Sequence, residues 1–192
     1  METHPMEPFL PDGARLLMMG SFPPPAARWS MEFYYPNFQN DMWRIIGHVF
    51  FNDKAHFVRE KSFDKEGIKA FCKEKGIALY DTAHRVIREK GNASDKYLRV
   101  LEPVDLAGIL SRISTCAHVA VTGQKAAEIL LDVLASPVFG QTPDLPKVGG
   151  FVPFDYGTRK MKLHRMPSTS RAYPMSLEKK ALFYKQLFEE VL

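Results

Sequence analysis

The chain has 192 residues, enough for one domain with a sizeable hydrophobic core. Its 45% hydrophobic and 25% charged residues suit a folded globular protein, and no apolar run is long enough to span a bilayer. With 26 Lys and Arg against 22 Asp and Glu, the net charge of +4 permits a polyanionic partner without demanding one.

In chain order, residues 1–13 carry spaced prolines and no positive n-region, so they read as a surface arm rather than a signal peptide, and a cytoplasmic location is expected. "ARLLMMG" is a short apolar run stopped by Gly20, the pattern of a buried strand. Three prolines and a cluster of aromatics follow (Trp29, Phe33, Tyr34, Tyr35 and Phe38). Residues 40–51 place Met42, Ile45, Ile46, Val49 and Phe50 at helical spacing, with Asn40 or Asp41 as cap. Residues 62–75 form a second helical pattern stopped by Gly76. "GIALYDT" reads as a strand, "VDLAGILSRI" as a short helix, "AHVAVTG" as a strand and "QKAAEILLDVLAS" as a helix. A Gly/Pro-rich excursion with an edge strand at 151–154 precedes the strand "TRKMKLHRM". The chain closes with an amphipathic helix capped by Ser176.

Strands alternating with helices predict an α/β fold, a three-layer α/β/α sandwich with a short, mostly parallel central sheet, spanning residues 1–192 as a single domain. Ligands in such folds bind beyond the carboxyl ends of the strands. The segments found there are "GSFPPPAARWSMEFYYPNFQN", "DTAHR", "TGQK" and "PSTSRAYP". None is a phosphate-binding glycine motif, and the G-x-S-x-G elbow of serine hydrolases is absent. "TGQK" suits a turn into a helix with Lys125 solvated. "PSTSRAYP" offers hydroxyls that grip phosphate oxygens, with Arg171 or Tyr173 as a wedge, and suits equally an ordinary polar loop. Cys72 and Cys116 are far apart, no C-x-x-C exists, and the six histidines lack H-x-x-x-H or H-E-x-x-H spacing, so neither a metal nor another cofactor is expected.

Together, "MMGSFPPP", "FYYPNFQNDMW" and "MPSTSRA" resemble the uracil-DNA glycosylase superfamily. The resemblance is greatest to its hypoxanthine-DNA glycosylase group, with motifs like G-S-F-P-S, F-Y-Y-x-x-x-x-N-x-F-W and L-P-S-T-S-P-A, and then to the mismatch-specific uracil glycosylases. It implies cleavage of the bond between deoxyribose and a flipped, deaminated base, a DNA duplex with a damaged or mismatched base as partner, no membrane partner and a monomeric state. It implies Asn40 as the residue that positions water or the base edge, which could equally cap the helix, and Asp81 as a second catalytic candidate, which could equally be structural. Gly20, Ser21, Phe22, Tyr35 and Phe33 would form the base-binding wall, Tyr35 as stacking face and Phe33 as pocket wall or core anchor. Ser168, Thr169, Ser170 and Arg171 would contact DNA. The sequence departs from the hypoxanthine-group motifs at Pro24 and at Asn37, while Phe22, which that group shares, stands where the mismatch-specific relatives have an Asn. The alternative is a relative that binds nucleic acid or nucleotide with weak or no catalysis.

Overall fold

The computed structural model describes residues 1–90 and 94–192. A two-residue strand, β1 (Glu2–Thr3), precedes β2 (Leu16–Gly20). Then come α1 (Met42–Phe51), a small hairpin of β3 (Val58–Arg59) and β4 (Ser62–Phe63), and α2 (Lys65–Lys75). They are followed by β5 (Ile77–Asp81), β6 (Ala83–Arg88), β7 (Leu98–Pro103), α3 (Leu106–Arg112), β8 (His118–Thr122) and α4 (Gln124–Ala135). The hairpin β9 (Phe151–Tyr156) and β10 (Arg159–Met166) leads to α5 (Leu177–Val191).

The central sheet has the order β5-β2-β8-β10-β9, with β5, β2, β8 and β10 parallel and β9 antiparallel at one edge. Every residue of β2 and β5 is buried, as strands covered on both faces must be. From β2 the chain crosses to β5 on one side, then returns past β2 to reach β8. Right-handed crossovers in opposite directions put α1 and α2 on one face and α3 and α4 on the other. The carboxyl ends of β2 and β8 therefore flank the point where the strand order reverses, the usual ligand crevice of open α/β sheets. α5 joins the first layer: Phe50 of α1 lies 4.9 Å from Phe71 of α2 and 5.2 Å from Phe188 of α5, ring centre to ring centre.

Local chemistry explains most boundaries. Asp64, Asp105 and Ser176 each accept a backbone N–H from the first turn of α2, α3 and α5, at 3.0, 2.9 and 3.2 Å. The helix expected over 62–75 begins at Lys65, because Ser62 and Phe63 pair with Val58 and Arg59 and Asp64 is the cap. A second sheet, β1-β6-β7, is antiparallel and was not expected from the sequence. Its strands, "AHRVIR" and "LRVLEP", bury few positions and carry charges on both sides, so neither period stands out.

Residues 1–13 run over the surface but are tied down. Glu2 and Thr3 pair with Val86 and Arg85, and Phe9 exchanges two backbone hydrogen bonds with Leu79 of β5, at 3.0 and 2.9 Å. His4 points inward and is buried.

Trp43 of α1 is 1% exposed and donates from Nε1 to the Tyr34 carbonyl at 3.0 Å, which fixes the aromatic loop to the helix that follows it. Trp43→Ala is expected to lower unfolding free energy by about 3–5 kcal/mol, read as a fall in the urea midpoint with an unchanged denaturant slope.

Candidate active site

The four parallel strands end in one cleft of about 780 Å³. Gly20, Asp81 and Thr122 contribute the ends of β2, β5 and β8, and residues 168–174, just after β10, close one side. The loop after β2 supplies the opposite wall with Ser21 to Pro24, Tyr35 and Asn40.

Gly20 is required by the closeness of β5. A Cβ there would lie 2.8 Å from Asp81 Oδ1, the atom that accepts the Gly20 N–H at 3.1 Å. Asp81 is 6% exposed, and its second oxygen, Oδ2, accepts from His4 Nε2 at 2.9 Å. His4 Nδ1 lies 2.9 Å from the Met6 carbonyl. The Met6 N–H also lies 3.2 Å from Nδ1. The arm thus sets an imidazole against the buried Asp81 carboxylate.

That carboxylate shapes its neighbours. Burial, and then the charge of Asp81, push the Tyr34 and Tyr35 hydroxyls well above the usual phenol range and Tyr80 to about 12. Tyr35 therefore stays neutral, and its hydroxyl pairs with Thr122 Oγ1 at 3.2 Å. Its backbone is left-handed, with φ 52°, a strained conformation for a side chain of that size. The ring stands edge-on to Trp43 at 6.0 Å.

Asn40 serves the helix behind it. Its Oδ1 accepts the Met42 N–H at 2.9 Å, and its backbone bridges Ser170 across the cleft rim. Its amide NH2 has no protein partner among the described residues and remains available at the cleft surface. Asp41, the neighbouring N-cap, makes no side-chain cap bond. Instead it accepts from Arg171 Nε at 3.1 Å and faces Lys180 Nζ at 3.4 Å. Lys180 is 0% exposed and also donates to the Ser170 carbonyl at 2.8 Å. Arg171 reaches the Gln39 side chain at 2.6 Å. The arginine expected as a free wedge is thereby pinned by two partners and ties the loop after β10 to the start of α1. Ser168 and Ser170 each accept a backbone N–H two residues on, both at 3.2 Å, while Thr169 is buried.

Of the residues singled out in the sequence, Gly20, Ser21, Phe22, Tyr35, Asn40, Asp81, Ser168, Thr169, Ser170 and Arg171 line this one cleft. Phe33 does not. It is buried against Phe9, Tyr34 and Trp43 and is a core anchor, since its ring sits between the arm and α1 rather than at the strand ends. Phe22 has two roles: it lines the cleft and also fills a satellite core with Ala83, Val86, Leu98 and Ile129 under the antiparallel sheet.

Asp95 and Thr122 also line the cleft, and His4 and Lys180 hold its lining from behind. Thr122 was legible as the polar end of an apolar strand. Lys180 was legible as well, being four residues before Tyr184 and so on the buried stripe of α5. His4 and Asp95 had no signal, since both are brought to their places by the antiparallel sheet. Asp95 is solvent-exposed as a residue, but its carboxyl meets the cleft wall, where Ser21 Oγ donates to it at 2.7 Å. Burial pushes its pKa above the ordinary carboxylate range, with Asp81 adding to the rise, against the lowering from the Ser21 bond, Lys125 and Arg88.

No family model and no curated protein matches the chain. Among solved structures, it is similar to the solution structure of a Methanosarcina acetivorans protein provisionally described as a uracil DNA glycosylase. The TM-score is 0.63 at 19% identity, over 96% of this chain and 95% of that one. A likeness of that extent defines the fold: an α/β domain whose mostly parallel sheet is flanked by helices, as in that protein. Among the described residues, no helix is long and apolar enough to cross a membrane.

The raised Asp95 carboxyl has a thermodynamic signature. Because its folded pKa exceeds its unfolded one, ionisation opposes folding above the unfolded value, fully so above the folded value, and not at all when both states are protonated. Asp95→Asn keeps an acceptor for Ser21. It is expected to raise the melting temperature at pH 7 and to leave it unchanged below about pH 3, measured by thermal melts across that range.

Proposed function

We propose that this protein is a monofunctional DNA glycosylase of base-excision repair. In this reading it hydrolyses the N-glycosidic bond of a flipped, deaminated base, uracil or hypoxanthine, and stands nearest the hypoxanthine-type branch of the uracil-DNA glycosylase superfamily. The observation that carries this reading is one cleft that gathers an aromatic ring, an amide NH2 without a partner among the described residues, a buried carboxylate and a hydroxyl-rich loop at the ends of parallel strands. Its volume suits a base with its sugar.

Each group has a chemical task in that reaction. Tyr35, neutral and braced by Thr122, offers a π-face to any base, which supplies affinity without choice of base. The Asn40 amide holds the attacking water or an edge of the base. Cleavage passes through a sugar cation, and the negative charge of Asp81 stabilises it through space. Both Asp81 oxygens already accept a hydrogen bond, so its role is electrostatic rather than that of a base. Asp95, with its raised pKa, is the better-placed group to receive a proton from water. The loop of Ser168, Thr169 and Ser170, held by Asp41, Arg171 and Lys180, presents hydroxyls and backbone N–H groups to the phosphates on either side of the lesion.

The His4 contact favours a second reading. Both Asp81 oxygens are already engaged within the protein, by His4 and by the Gly20 N–H, which leaves less of its charge to a sugar cation, as in a protein that binds nucleic acid or nucleotide with little cleavage.

Asn40→Asp separates catalysis from folding. The aspartate retains the acceptor for the Met42 N–H at the start of α1 and replaces the amide donor with a carboxylate oxygen and its charge. On duplexes carrying uracil, hypoxanthine or xanthine, the variant is expected to form abasic product about 100-fold or more slowly than the native chain, with little loss of DNA affinity or melting temperature. Unchanged cleavage refutes the role given to Asn40. No abasic product from the native chain on any of the three duplexes, with binding retained, supports the second reading.

A further inference from the structure

At the opposite end of β8 from Thr122, about 13 Å along the strand, a cluster of side chains has no part in the cleft. His118 begins β8, and His164 lies on the neighbouring parallel strand β10, two residues beyond the partner of His118, so both project from the same face. His118 Nδ1 and His164 Nε2 are 2.9 Å apart. Glu190, in the last turn of α5, brings a carboxylate oxygen to the same place, and the three potential ligand atoms lie within 4.8 Å of one another. His164 is buried, His118 is half-buried and Glu190 is exposed, so the cluster has a floor and an open side.

We propose that His118, His164 and Glu190 form a binding site for one divalent transition-metal ion, zinc by donor set, which clamps the end of α5 to β8 and β10. Two imidazole nitrogens and one carboxylate oxygen are a zinc-type set, with the fourth position left to water. Ligand atoms around tetrahedral zinc stand about 3.3 Å apart, given bonds of about 2.0–2.1 Å. The two nitrogens need to part by a few tenths of an ångström, and Glu190 to close by a rotamer change.

The hydrogen bonding also fits. The 2.9 Å contact between His118 Nδ1 and His164 Nε2 takes one N–H from either ring. On metal binding that proton moves to the other nitrogen of its own ring, and both facing nitrogens then present lone pairs with no net proton lost. The opposing group is Lys162, whose Nζ donates to Glu190 Oε1 at 2.8 Å. It competes for the carboxylate and repels a cation. The two histidines are 46 residues apart, which is why no local spacing revealed them.

The test is titration of the chelator-stripped full chain with Zn²⁺ against a chromophoric competitor, and with Co²⁺ by absorption spectroscopy. One equivalent of Zn²⁺ is expected to bind and to raise the melting temperature, and Co²⁺ is expected to give the intense d–d bands of a four-coordinate site. His118→Ala, at the half-buried ligand, and Glu190→Gln are each expected to weaken binding at least tenfold. Lys162→Ala is expected to strengthen it. Equal Zn²⁺ affinity in the native chain and in both ligand variants overturns the proposal, as does a weak octahedral cobalt spectrum. Neither readout depends on catalytic activity, so failure of the glycosylase reading leaves this inference standing.

Discussion

A charged ammonium group with no access to water has to be answered by the protein around it, and Lys180 is such a group. Its partners, Asp41 and the Ser170 carbonyl, belong to different segments. Meeting the electrostatic demand therefore fixes the start of α1, the loop after β10 and the first turns of α5 relative to one another. Arg171 and the Thr169 carbonyl complete the same junction, the latter accepting the Asp41 N–H at 2.9 Å. Tyr184, one turn along α5 from Lys180, donates to the Pro167 carbonyl at 2.7 Å. One wall of the cleft is thus set from behind by a helix whose side chains do not face the ligand space.

The opposite wall depends on crowding. The chain leaves β2 at a glycine because the Asp81 carboxylate occupies the volume a side chain would need. Placing that charge in a poorly hydrated pocket keeps three tyrosines protonated and draws His4 out of the arm. The strained backbone of Tyr35 belongs to the same region. Strain, buried charge and a raised carboxyl at Asp95 all gather where the strands end. Such concentrations are common at functional sites, where stability is given up for preorganisation.

The sequence made the parallel sheet legible because buried strands are unbroken apolar runs, as "LLMM" and "VAV" are, and because α1, α4 and α5 keep a clear helical period. Once strand ends were placed, most cleft residues followed, since topology puts ligands there. What stayed hidden arises from contacts distant in the chain. Strands β6 and β7 are stabilised by each other and by β1 rather than by their own pattern. Asp95 joins the cleft wall, and His4 reaches Asp81 behind it, only once that sheet has formed. Phe33 stayed open between wall and core because an aromatic beside two tyrosines carries no mark that distinguishes the two. Its ring contacts with Phe9 decided the matter.

The backbone exchange between Phe9 and Leu79 bears on how the molecule behaves in company. Strand β5 is the outermost parallel strand, with the wholly apolar stretch "IAL" and one side that no other strand of its sheet covers. Open edges of this kind recruit strands from other chains. The arm occupies part of that edge, and at the far margin Pro153 of β9 lacks the N–H needed to extend the ladder. A chain shortened to begin after Phe9 would lose this guard along with His4, and its first failure would be colloidal: self-association through β5 at concentrations where the full chain stays dispersed.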